Sequence, residues 1–149
     1  MKIYIILFAT LSLACNNIGQ NSLAAPSSTI TENNKSKHWE GSFTNGMKQT
    51  YISFDVSADG KQLENLTFKG YWRCGGKLEQ TTLGPEKSFT IVNNKVDRSI
   101  TEPEGGGATA TRYELHATLK GNKAEGSFRM NINALGCDTY KLTWIAQTK

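Results

Sequence analysis

Residues Leu66 to Cys74 alternate without a break: Leu66, Phe68, Gly70, Trp72 and Cys74 fall on one side, Thr67, Lys69, Tyr71 and Arg73 on the other. A period of two sustained over that stretch, with aromatic rings among its apolar members, describes a β-strand with one buried and one wet face. A helix cannot use this pattern, because its period of 3.6 would scatter the same apolar residues around its circumference. A chain that contains such a strand must supply other half-buried strands to cover its apolar side.

It does so from Trp39 onward, in short alternating segments separated by turn residues. Trp39 to Phe43 alternates and is followed by Asn45-Gly46; Ile52, Phe54 and Val56 share a face before Ala58-Asp59-Gly60, a hairpin signal. After the Leu66–Cys74 strand come Gly75-Gly76, a weaker segment from Lys77 to Leu83, and Gly84-Pro85. Ser88 to Val92 and Lys95 to Thr101 flank Asn93-Asn94, a second hairpin signal. The clearest pairing lies between Arg112–Leu119 and Glu125–Asn133. A two-residue turn at Gly121-Asn122 sets Leu115 opposite Phe128 and Tyr113 opposite Met130, all inward, and Glu114 across from Arg129 outside as an ion pair. A last strand, Tyr140 to Ala146, aligns Tyr140, Leu142, Trp144 and Ala146, so that Trp144 joins Trp39 and Trp72 as a core residue. With no amphipathic helix in this region, the pattern predicts an all-β domain over 38–149: a single antiparallel β-sandwich or flattened β-barrel of about eight strands. A lipocalin-like or avidin-like cup is the alternative form.

The first residues read as an address. Met1-Lys2 gives a positive start, and Ile3 to Ala14 is apolar but shorter than the about 20 residues a spanning helix needs. Leu11-Ser12-Leu13-Ala14-Cys15 resembles the lipobox of bacterial lipoproteins. That resemblance implies a signal peptide over 1–14, a diacylglyceryl group on Cys15, and anchoring to a bacterial envelope membrane. Asn16 after the cysteine favours the outer membrane or cell surface over retention at the inner membrane. Ser22-Leu23-Ala24 before Ala25-Pro26 offers a second cleavage site, which would release a periplasmic or secreted form without Cys15. Residues 15–37, rich in Asn, Ser, Thr and Ala, cannot bury enough surface to offset their ordering entropy, and form a flexible tether with a reach of roughly 25 Å.

Three cysteines make an odd count. Setting Cys15 aside leaves Cys74 and Cys137, a pair that an exported protein oxidises. Closing a loop of about 64 residues contributes ~4 kcal/mol on the chain-entropy view. The 17 basic and 13 acidic residues are spread along the sequence rather than gathered in a run, so a nucleic-acid partner is not expected.

No stretch names a reaction. There is no Gly-x-Ser-x-Gly elbow, no His-Glu-x-x-His and no phosphate-binding glycine loop. His38 and His116 lack companions at metal-ligand spacing, so no metal or other cofactor is expected. Asp55 and Glu64 are a carboxylate pair on neighbouring strands, but scattered acids on a β surface are ordinarily solvated. Two surfaces are candidates for binding. One is the outer face carrying Tyr51, Lys69, Tyr71 and Arg73, where rings beside cations suit a glycan or a protein. The other is the long connection Thr101–Thr111, with Glu102 and Glu104. The body, from Trp39 through Cys74 and Cys137 to Thr143-Trp144-Ile145-Ala146, loosely resembles small exported bacterial β domains of unknown function, and that likeness carries no functional residues over. The expectation is a lipid-anchored, non-enzymatic envelope protein whose β domain binds a glycan or protein. The alternatives are a hydrolase inhibitor working through a protruding loop, and a small-ligand barrel whose cavity is lined by Trp39, Trp72 and Trp144.

Overall fold

The computed structural model describes residues 35–149; the expected signal peptide, Cys15 and nearly all of the expected tether lie outside the described residues. Within them the chain forms β1 (Lys37–Phe43), β2 (Tyr51–Val56), β3 (Gln62–Cys74), β4 (Lys77–Leu83), β5 (Phe89–Thr90), β6 (Lys95–Glu102), β7 (Thr111–Lys120), β8 (Lys123–Ile132), β9 (Cys137–Asp138) and β10 (Leu142–Thr148). A single 3-10 turn, Asn133–Leu135, precedes β9.

All pairings are antiparallel, and six strands close on themselves in the order β10, β1, β2, β3, β9, β8 and back to β10. The expected all-β domain is thus a barrel, with strands added outside the ring. β9 has only two residues, yet it completes the ring: Asp138 is register partner to Arg73 on β3 and to Asn131 on β8. The Cys74–Cys137 disulfide crosses the same place, as the cysteine arithmetic predicted. β4 and β5 extend the sheet from the far edge of β3, and β7 and β6 extend it from β8.

The turns follow their chemistry. Asn93 and Asn94 both adopt left-handed backbone (φ 51° and 59°), the conformation a tight two-residue hairpin requires and asparagine tolerates. The β7–β8 hairpin has the predicted register, with Tyr113 opposite Met130 and Leu115 opposite Phe128. Glu114 and Arg129 are also opposite each other, but they do not form the expected ion pair. Arg129 turns to Asp138 across the ring closure, while Glu114 accepts from Arg112 at 2.8 Å.

The interior is filled. Trp39 stacks on Phe54, Trp144 meets Phe54 edge-on, and Phe68 stacks on Phe128 at 5.2 Å between centroids. Trp144 lies over Gly126, where a Cβ would approach its ring to 2.8 Å and the His116 carbonyl oxygen to 1.9 Å, so only glycine leaves room for the indole. Two expectations need correcting. Trp72 is half-buried at the edge of this core rather than within it. Tyr140 does not share the face of Trp144: β10 begins at Leu142, and Tyr140, in left-handed backbone (φ 54°), points to solvent. The three tryptophans therefore line no common cavity; Trp39 and Trp144 are buried in close-packed rings and Trp72 sits apart at the rim.

Candidate binding face

β2 and β3 start from the Ser57–Lys61 turn, which is tied by Ser57 Oγ to Asp59 and by the Lys61 N–H to the Asp59 carboxylate at 3.0 Å. Near the turn, Val56 pairs with Leu63 and Asp55 with Glu64. Continued straight, that register would set Tyr51 opposite Phe68, an outward residue against an inward one. A bulge removes the conflict: Asn65 takes left-handed backbone (φ 52°), the register slips by one, and Leu63 and Leu66 both reach the core although three residues apart. Beyond the bulge Tyr51 lies opposite Lys69, whose ammonium stands 5.9 Å from the centre of the tyrosine ring, within cation–π range.

The same outward row continues along β3 to Tyr71 and Arg73. Gly75-Gly76 (φ 57° and 82°) reverses the chain, and β4 then sets Thr82 beside Lys69, Gln80 beside Tyr71 and Leu78 beside Arg73. The last half of β3 and all of β4 form a hairpin arm of which β3 belongs to the barrel and β4 lies outside it, exposed along nearly its whole length on both sides. The disulfide staples the base of the arm's turn to β9. All four residues singled out in the sequence thus lie on one continuous face, joined by Gln80, Thr82 and Leu78. These three could have been found by counting back from the Gly75-Gly76 turn. Neither Lys69 nor Arg73 forms an ion pair among the described residues; Asp138, the register partner of Arg73, has both oxygens engaged by Arg129.

The other candidate, the Thr101–Thr111 loop, is drawn against the chain between β4 and β5. Glu102 accepts the N–H groups of Glu86 and Lys87, and Glu104 pairs with the Lys87 ammonium at 2.6 Å. That contact holds the Glu104 carboxyl below its usual range, since the Lys87 hydrogen bond and charge outweigh the small effect of burial. Both carboxylates are occupied by the chain itself.

Asp55 and Glu64 are neighbours across β2 and β3, but the oxygens of Asp55 are taken by His38 at 2.7 Å and Asn65 at 2.8 Å. Burial works to raise the Asp55 carboxyl; those two partners prevail and hold it low. His116 pairs with Asp97 at 2.9 Å. Among the described residues no group of three or more His, Cys, Asp or Glu is placed to hold a metal ion.

A groove of about 740 Å³ crosses the outer surface of β7, β8, β10 and β1. Its register rows run Thr118–Glu125–Ile145–Ser42 and Lys120–Lys123–Gln147–Glu40. Nothing in the sequence marks it, because the rows assemble from strands distant along the chain. The chain matches no protein-family model, and comparison with curated proteins and with solved structures finds no similar one.

Proposed function

We propose that this protein is an exported, lipid-anchored and non-enzymatic binding protein that grips an acidic glycan on the outer face of its β3–β4 arm. One observation carries the reading: Lys69 and Arg73 stand on that face beside two tyrosines, and among the described residues no carboxylate pairs with either. Tyrosine rings offer flat apolar surface to the C–H side of a sugar, Gln80 and Thr82 offer hydrogen bonds to hydroxyls, and the two cations select a uronic or otherwise anionic polymer. The face is open rather than pocketed, which suits a chain passing across it. Export and acylation rest on the lipobox-like run ending at Cys15 and on the oxidised Cys74–Cys137 pair, an arrangement of oxidising compartments.

The test is affinity electrophoresis of the purified protein through polygalacturonate and through neutral dextran. Retardation is expected only in the acidic polymer and should weaken with salt. Tyr51→Ala and Tyr71→Ala should each cost roughly fivefold or more in affinity. Absence of retardation in any acidic polysaccharide overturns the glycan. A second reading, a protein partner such as a hydrolase, is favoured by β4, which among the described residues pairs only with β3 and offers its other edge for strand addition, with Leu78 exposed beside it. Capture of one enzyme, abolished by Leu78→Asp, would move the assignment there. Intact-mass measurement on protein from its native host tests the anchor through the acyl addition on Cys15.

A further inference from the structure

The charges that look scattered in the sequence are sorted by the fold. Every strand of the barrel begins or ends at one of two poles, and the turns at the pole where the chain enters β1 are stitched to one another through the backbone. The Lys149 N–H donates to the His38 carbonyl, Thr148 to Asn122, Leu119 to Asn94 and Ile91 to Lys61. Onto this one end come Lys35 and Lys37 where the chain arrives, Lys61 in the β2–β3 turn, Lys95 after Asn94, Lys120 and Lys123 around Gly121-Asn122, and Lys149 after β10. All seven are exposed, and the same tips (35–38, 57–61, 91–95, 120–123 and 147–149) hold one acid, Asp59. Glu40 and Glu125, set further in, pair with Lys149 and Lys120. The opposite pole is mixed: Lys48, Arg73, Lys77, Arg112 and Lys141 lie there with Glu102, Glu104 and Asp138, the last two paired to Lys87 and Arg129.

We infer that the lysine-bearing pole is a docking surface for an anionic membrane, seating its ammonium groups among lipid phosphates. Charge complementarity is one reason: seven exposed lysines spread over one end of the domain, with one acid among the tips and a groove lined by Lys120, Lys123 and Lys149 opening beside them, suit a plane of phosphates better than a single small anion. Val92, exposed among these lysines, adds an apolar tip suited to the headgroup layer. The path of the chain is the other reason. The chain outside the described residues joins the domain at Lys35, on this pole, so with Cys15 acylated as proposed above the point of attachment lies among these lysines. The Tyr51–Arg73 face sits on the arm at the far pole, which this orientation turns away from the bilayer and toward a ligand.

Binding by the domain's own lysines needs no acyl group and no glycan, so it can be separated from the function proposed above. The purified chain is sedimented with vesicles of phosphatidylcholine alone and of equal parts phosphatidylcholine and phosphatidylglycerol. Each lysine near an anionic surface is worth roughly fivefold in partition. The chain should therefore prefer the anionic vesicles by at least about tenfold at low salt, and the preference should shrink as salt is raised. Lys35→Gln, Lys37→Gln, Lys95→Gln and Lys123→Gln combined break no ion pair among the described residues, and should abolish that preference at unchanged melting temperature. Lys69→Gln with Arg73→Gln, on the arm, should leave it intact. A combined variant that keeps the preference, or a wild-type chain that binds both vesicles equally, overturns the inference. So does a soluble polyanion, dextran sulfate, that binds the pole as tightly as the vesicles do.

Discussion

Arg129 on β8 grips both oxygens of Asp138 on β9, at 3.0 and 2.6 Å, across the point where the barrel closes. The same carboxylate accepts the Tyr140 N–H at 2.7 Å and so fixes the left-handed residue that leads the chain into β10. Burial pushes the Asp138 carboxyl up, but the Arg129 hydrogen bonds and the Tyr140 N–H outweigh it and hold the group below the usual carboxylate range. A carboxyl whose folded pKa is depressed adds stability above its unfolded value, near 3.9, and loses it as pH falls through the lower folded value. Asp138→Asn should therefore cost about 1 kcal/mol at pH 7, a figure kept small because Arg129 is half-exposed and screened. In urea denaturation the gap between variant and wild type should close as the pH falls below about 4. A gap that persists unchanged into strong acid would remove the charge from the explanation.

The Cys74–Cys137 bond spans 63 residues and fastens the arm to the two-residue strand that completes the ring. Replacing both cysteines by alanine should lower stability by about 4 kcal/mol and the melting temperature by roughly 10 °C or more. Mass spectrometry of the native protein should find these two thiols closed to alkylation until a reductant is added.

Gly126 and Gly105 separate a packing glycine from a permissive one. A methyl at Gly126 would run into the His116 carbonyl and the Trp144 ring, whereas nothing lies within 4 Å of one at Gly105. Gly126→Ala should cost more than about 2 kcal/mol and shift the Trp144 emission to the red; Gly105→Ala should change stability by less than about 0.5 kcal/mol. Equal effects from the two would mean that the indole does not depend on this gap.

What the sequence makes legible follows from how local each determinant is. The β7–β8 register could be read because one short turn and two unbroken alternations specify it together. The Tyr51–Arg73 face could be read because alternation alone decides which side of a strand a residue occupies. The bulge at Asn65 could not, since an inserted residue leaves correct alternation on either side of it and betrays itself only when the partner strand is known. The same holds for Arg129. Its register partner Glu114 was legible from the turn, but its actual partner Asp138 reaches it through a two-residue strand that has no pattern at all. The lysine pole is the extreme case: its residues run from 35 to 149, and only the closing of the barrel makes neighbours of them.

His38, on the strand where the chain joins the domain, donates its Nδ1–H to the Asp55 carboxylate at 2.7 Å and has Glu40 at 3.4 Å from Nε2. The Asp55 hydrogen bond is the chief cause that raises its pKa above 6.5, with Glu40 adding to it and slight burial opposing. For a base whose folded pKa is raised the sign reverses. The protonated ring contributes fully below about 6.5, its unfolded value, and the contribution disappears as pH climbs through the higher folded value. Because the ring is largely exposed, the effect on stability should not exceed a few tenths of a kcal/mol. The sharper readout is the imidazole resonance itself. Its titration midpoint should lie above 6.5 in the wild type and fall toward 6.5 in Asp55→Asn, while His38→Gln should lose stability relative to wild type at pH 6 and match it at pH 9. A midpoint indifferent to Asp55→Asn would show that the 2.7 Å contact carries no charge, and would leave the first turn of β1 held by its backbone pairing alone.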